Sequence, residues 1–249
     1  KHVDAVCERL NRAGKEVVLS TLALVMNDAE MDGLRDLTGQ DTYPIEANDM
    51  AACALLAGRD HLIGPYVNVY NEGTLAALAA RGAKRICLPP ELPRESLAAL
   101  ATDAPAELEV QIFGRFPLAL SARCYAARAR GLSKDACKFV CAGDGDGLAV
   151  DTLDGELFLA VNGTQTLSAA CGNLMAELAV LRKMGIHRFR LSPQAADMVA
   201  VAAVFRAVAA GTMDVGEGDE RLENLVPDLP FANGFFHNAE GAAFLAEAE

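Results

Sequence analysis

The amino-acid sequence predicts an α/β fold, a (β/α)8-type barrel whose first strand is missing from this chain. Two observations carry that reading. Short β-like runs alternate with amphipathic helical stretches almost from end to end, the signature of a parallel sheet with helices outside. Seven such runs, near residues 16, 43, 62, 85, 107, 156 and 187, follow an opening helix with no strand before it, one unit short of an eight-unit barrel. An open doubly wound sheet is the alternative, because periodicity alone does not reveal closure. The composition suits either. The 249 residues are 52% hydrophobic and 6% aromatic with no Trp, enough for a large core built mainly from Ala and Leu.

The elements follow in order. Residues 3–13 set Val3, Val6, Cys7 and Leu10 at i, i+3, i+4 and i+7, a helical stripe closed by Gly14. Residues 16–22 read as a buried strand and 29–37 as the next helix. A strand at 43–46 leads to an alanine-rich helix capped by Asn48 or Asp49. A strand at 62–67 precedes a helix at 72–80 capped by Asn71. Residues 85–89 form another strand, a helix begins near Pro93, and 107–113 alternate toward a further strand. Residues 114–153 break the rhythm as an irregular, cysteine-bearing insert. It resumes with a strand at 156–161, a long helix at 166–183, a strand at 188–191 and a helix at 195–209. The expected organisation is a barrel domain over 1–213 that includes the insert, and an acidic tail over 214–249 packing on it.

Charge narrows the function. Asp and Glu number 34 against 22 Lys and Arg, giving −12 and a pI near 4.8. A protein whose main partner is a nucleic-acid backbone normally carries the opposite sign, so no nucleic-acid partner is expected. No run reaches the roughly 18–20 apolar residues that span a bilayer. The longest candidate, 198–210, is short and interrupted by Arg206. With no signal peptide visible either, a cytoplasmic location is expected. The seven cysteines (Cys7, Cys53, Cys87, Cys124, Cys137, Cys141, Cys171) are an odd number without secretion signals. That favours reduced thiols or metal ligands over a disulfide framework.

The insert holds the most informative pattern, Cys124-x12-Cys137-x3-Cys141, three thiols within eighteen residues. Loops bury little, so such thiols have small packing value. Grouped Cys with no His nearby suits structural zinc or an iron–sulfur cluster, with three unrelated thiols as the plain alternative. Arg123, Arg128, Arg130, Lys134 and Lys138 flank them and would offset thiolate charge. Cys7, Cys53, Cys87 and Cys171 sit among apolar neighbours and read as core thiols.

The segment Phe116-Pro-Leu-Ala-Leu-Ser-Ala-Arg-Cys124 and the cysteines after it resemble the motif of the collagenase-like (unassigned) peptidase family of iron–sulfur proteins, and more narrowly its UbiV branch. Val17-Val-Leu-Ser-Thr-Leu-Ala-Leu-Val25, Ile45-Glu-Ala-Asn-Asp49, Asn68-Val-Tyr-Asn71, Val161-Asn-Gly-Thr-Gln-Thr166, Arg190-Leu-Ser-Pro-Gln194 and Asn233-Gly-Phe235 extend the likeness over nearly the whole chain. The resemblance implies a barrel-type subunit that pairs with a homologous UbiU-like subunit and carries a 4Fe–4S cluster. It further implies oxygen-independent hydroxylation in ubiquinone biosynthesis, with prephenate as oxygen donor and a quinone-precursor lipid or its carrier protein as partner. By the same resemblance Cys124, Cys137 and Cys141 are three cluster ligands, and the fourth is expected upstream of Lys1. No peptidase signature is present: neither G-x-S-x-G, nor H-E-x-x-H, nor a Cys–His pairing signal.

Barrel enzymes build their sites at the C-terminal ends of strands. The polar residues expected there are Thr21, Glu46, Asn68, Tyr70, Glu91, Gln165 and Arg190. Arg190 suits a bidentate clamp on a dicarboxylate, or pairs with Glu46 or Glu91. Glu46 is a candidate general base, or a structural partner. Ala142-Gly-Asp-Gly-Asp-Gly147 lacks the distal Glu of a calcium loop and the Lys-Ser/Thr of a phosphate cradle, so it reads as a turn. His187 and His237 have no metal-ligand spacing, and Asn233-Gly-Phe-Phe236 reads as a lid or an interface anchor. Two rival functions stand beside the hydroxylase subunit: an RNA-modifying hydroxylase of the same family, and a non-catalytic electron-transfer or scaffolding subunit.

Overall fold

The structure, a computed structural model, describes residues 2–227 and 229–245. Lys1, and Asp228 and residues 246–249 of the expected tail, lie outside the described residues. The chain divides into two compact units, Lys1–Leu88 with Ala104–Leu108, and Pro89–Asp103 with Glu109–Glu249.

The first unit has the expected βα alternation. After α1 (His2–Arg12) come β1 (Leu19–Ser20), α2 (Asp28–Gly39), β2 (Ile45–Ala47), α3 (Met50–Leu55), β3 (His61–Ile63), α4 (Glu72–Ala79) and β4 (Ala83–Cys87). These four strands pair in sequence order and in parallel, with Leu19 opposite Ile45, Glu46 opposite Leu62 and Ile63 opposite Ile86. Every residue of β2 and β3 is buried, as parallel strands covered on both faces must be. The helix starts are written in the sequence. Asn27, Asp49 and Asn71 accept from Glu30, Ala52 and Thr74 N–H at 2.9, 3.0 and 2.8 Å, so Asp49 rather than Asn48 caps α3. The stripe expected to bury α1 is covered at one position. Cys7 is inside, whereas Val3, Val6 and Leu10 are exposed. What holds the helix includes Asn11, whose amide donates to Tyr43 Oη at 3.4 Å.

The second unit is mixed. It contains α5 (Arg94–Ala101), β5 (Glu107–Leu120) from Glu109 onward, α6 (Tyr125–Arg128), β6 (Leu148–Asp151), β7 (Leu157–Asn162), β8 (Gln165–Asn173), α7 (Leu178–Lys183), β9 (Arg188–Leu191), α8 (Met198–Ala209), α9 (Val215–Leu225) and β10 (Phe231–Ala232). β9 lies parallel to β5 and β10 parallel to β8. β5 with β8, β8 with β7, and β7 with β6 are antiparallel. The insert expected from residue 114 therefore starts later, because β5 continues to Leu120.

The helix expected at 166–183 is a correction. Its first half is β8, and the helical part is confined to α7. The Ala- and Leu-rich composition of this stretch favours helix. Hydrogen-bonding partners on both sides, Arg115–Leu120 of β5 and Leu159–Asn162 of β7, override it. The local signal is Asn162-Gly163, a hairpin dipeptide whose glycine has φ 62°. The core of this unit includes Phe113, Leu178, Leu181, Ile186, Val201 and Phe205, with the Phe113 and Phe205 rings edge to face at 5.6 Å. Asn233-Gly-Phe-Phe236 is neither lid nor surface anchor. Asn233 and Phe236 are buried, and Phe235 packs on Phe116, Ala170 and Ala232.

Candidate functional site

The three insert thiols meet around one small nucleus in the second unit. Cys124 stands at the start of α6, where its Sγ accepts from Ala127 N–H at 3.4 Å. Burial of Cys124, Ala126 and Ala127 makes the nucleus, and Leu132, Cys137 and Cys141 pack against it. Cys137 closes the 3-10 turn Lys134–Ala136, and its Sγ accepts from Phe139 N–H at 3.4 Å. Lys138 and Phe139 both adopt left-handed backbone, at φ 50° and 55°, which directs that N–H back to the sulfur. Cys141 lies in the 3-10 turn Val140–Gly143 beside the β7–β8 turn at Gly163.

Among the described residues, no group of three or more His, Cys, Asp or Glu stands as it would to hold a metal ion. The thiols are therefore neighbours around one nucleus and not a formed ligand cage. Their chemistry nonetheless fits a thiolate-bound cluster: soft donors, backbone N–H groups on two sulfurs, and a cationic setting. The Gly-Asp-Gly-Asp-Gly run is the expected turn, and its carboxylates are spent on structure. Asp144 binds Arg130 at 2.7 Å, and Asp146 accepts from Ala195 N–H at 2.5 Å. The remaining four cysteines are buried, as expected, and burial pushes the Cys171 thiol up to about 12.

In the first unit, two of the expected strand-end residues come together. Thr21 Oγ1 accepts from Asn48 N–H at 3.0 Å, and Asn48 Nδ2 donates to Glu46 Oε1 at 3.1 Å. Ser20 Oγ donates to the same carboxylate oxygen at 2.9 Å. Thr21, Glu46 and Asn48 are buried while Ser20 is exposed, and the knot is tight. A Cβ on Gly64 would stand 1.9 Å from Asn48 Oδ1. Ser20 and Asn48 are the members that sequence reasoning missed, since each follows the usual polar punctuation of a strand end. Of the other candidates, Asn68 takes a left-handed C-cap after the 3-10 turn Pro65–Val67, Tyr70 and Glu91 are exposed, and Gln165 opens β8.

In the second unit Arg190 is held by Glu109, Nε to Oε1 at 2.5 Å, on adjacent parallel strands. The expected clamp is thus already engaged with a carboxylate. A second carboxylate is deeper. Glu177 is 2% exposed, and its Oε1 receives Asn233 Nδ2 at 2.9 Å and lies 2.8 Å from His237 Nε2. Its Oε2 is buried with no hydrogen-bond partner among the described residues. Burial raises the Glu177 carboxyl above its ordinary range, against the hydrogen bonds of His237 and Asn233, which lower it. Nothing in local spacing marks this trio, because His237 lies 60 residues from Glu177.

An α/β scaffold presenting a thiol-rich loop is the class these observations define. The chain belongs to peptidase family U32, whose family model matches residues 1–243. Among solved structures it is similar to the U32 peptidase Mk0906, at 16% identity and a TM-score of 0.39, over 55% of this chain. The match spans 61% of that chain, less than two thirds of its length.

Proposed function

We propose that this chain is the 4Fe–4S-bearing subunit of an oxygen-independent hydroxylase in ubiquinone biosynthesis, of the UbiV branch of the family. It acts with a UbiU-like homologous subunit, on a quinone-precursor lipid free or on its carrier, with prephenate as oxygen donor. The observation that supports this reading best is the gathering of Cys124, Cys137 and Cys141 on one nucleus, with N–H donors on two sulfurs. Those residues would hold the cluster, with the fourth ligand coming from outside the triad. A bound cluster supplies one-electron transfer. The chain's own part is to orient the sulfurs through α6 and the two 3-10 turns, in a segment where Arg123, Arg128 and Lys138 flank the cysteines in sequence.

Peptide hydrolysis is not part of the proposal, despite the family's name. No nucleophile with a partnered base is among the residues the site gathers. A non-catalytic role within the same complex is the second reading, favoured by the engagement of Arg190 with Glu109 and of Glu46 with Ser20 and Asn48.

The test is iron and acid-labile sulfide analysis of the full-length protein purified anaerobically. Stoichiometric iron and sulfide are expected, with Cys137→Ala losing both and the visible absorbance. A zinc-loaded, iron-free protein would overturn the assignment. Reconstitution with and without the partner subunit separates a catalytic from a scaffolding role.

A further inference from the structure

We propose that the thiol-bearing insert docks this protein reversibly on an anionic lipid bilayer. The reading uses neither iron nor quinone chemistry and stands apart from the function proposed above. In a chain of net charge −12, residues 123–138 carry Arg123, Arg128, Arg130, Lys134 and Lys138 against Asp135 alone, a local +4 from five cations and one anion. Arg130 is bound to Asp144. Arg123, Arg128 and Lys138 are exposed and make no ion pair among the described residues.

Apolar groups stand in the same segment. Phe139 is 79% exposed and Tyr125 48%, the one two residues after Cys137 and the other next to Cys124. Lys138 and Phe139 are consecutive left-handed residues, a turn that aims the Phe139 N–H at Cys137 Sγ and leaves the ring outside.

Cations that reach phosphates, beside aromatic groups that enter the headgroup boundary, are the two signals that reversible membrane docking needs. The acidic remainder does not forbid it. Charges more than about 8–10 Å from the bilayer are screened at physiological salt, so the patch is felt before the net charge. RNA would use the same cations and aromatics, so retention of RNA in place of vesicle binding is one outcome of the test.

The experiment is cosedimentation of the full-length, anaerobically purified protein with phosphatidylglycerol/phosphatidylethanolamine vesicles and with phosphatidylcholine vesicles. Binding to the anionic vesicles alone, weakening with added salt, is the expected result. At about 1 kcal/mol per basic residue at the surface, Arg123→Ala or Arg128→Ala each lower the affinity about fivefold. Phe139→Ala lowers it on the order of tenfold, from the apolar area it withdraws. Far-ultraviolet circular dichroism of each variant separates lost docking from lost folding, and Arg35→Ala, in the first unit, should leave binding unchanged. Absence of vesicle binding, equal binding to the neutral vesicles, binding that survives both arginine substitutions in folded variants, or RNA retained in a gel shift by a protein that does not bind the vesicles would each overturn the proposal.

Discussion

Cysteine accessibility sorts the seven thiols into two classes. Cys7, Cys53, Cys87 and Cys171 are at most 4% exposed, and Cys171 resists ionisation because its thiolate would lose its hydration. Cys137 and Cys141 are half-buried in short turns. Brief alkylation of the folded, iron-free protein should therefore label Cys137 and Cys141 first. Mass mapping of the labelled peptides checks this, and early labelling of Cys171 would contradict the packing described for β8. The sequence already separated these classes by their neighbours. It did not reveal that Cys124 is as buried as the core thiols, because that depends on the Ala126–Ala127 nucleus closing over it.

Among the elements, β5 depends on one residue that no other type can replace. Gly114 has φ 104°, and a Cβ there would stand 2.5 Å from the Ser192 carbonyl oxygen. Both the left-handed backbone and the contact with main chain forbid a side chain. Gly114→Ala should destabilise the protein by about 3 kcal/mol, read by chemical denaturation. Local legibility varied with what holds each element. Helix caps at Asn27, Asp49 and Asn71, and the parallel strands β2 to β4, were legible because their signals are local. β8 was not, because its strand state is imposed by β5 and β7 on a helix-favouring composition. The knot of Ser20, Thr21, Glu46 and Asn48 was half legible: strand-end placement named two members, and only tertiary geometry supplied the others.

At the scale of the whole molecule, pH acts through the buried carboxyl of Glu177. Its folded pKa is raised, so the folded state holds a proton that the unfolded chain releases. That contribution is fully present below the unfolded value, near the ordinary 4.5, and is lost as pH rises through the raised folded value. Glu177→Gln keeps an acceptor for Asn233 and removes the buried charge. Its melting temperature should rise relative to the parent as pH goes from 5 to 8, by about 2–4 °C for each kcal/mol recovered. Calorimetry across that range checks it, and parallel pH profiles for the two proteins would exclude the mechanism. Neither half of this trio carries a sequence signal, since burial, not spacing, sets the carboxyl apart.

Asn233 also binds the chain near its end in both directions, donating to the Leu245 carbonyl at 2.9 Å and accepting from the Leu245 N–H at 2.8 Å. A side-chain amide here imitates the edge of a strand. It reads the peptide group and ignores the side chain, which is 40% exposed. Position 245 is consequently open to nearly any residue with an N–H, and closed to proline. Asn233, which serves Leu245 and Glu177 with one amide, has no comparable freedom.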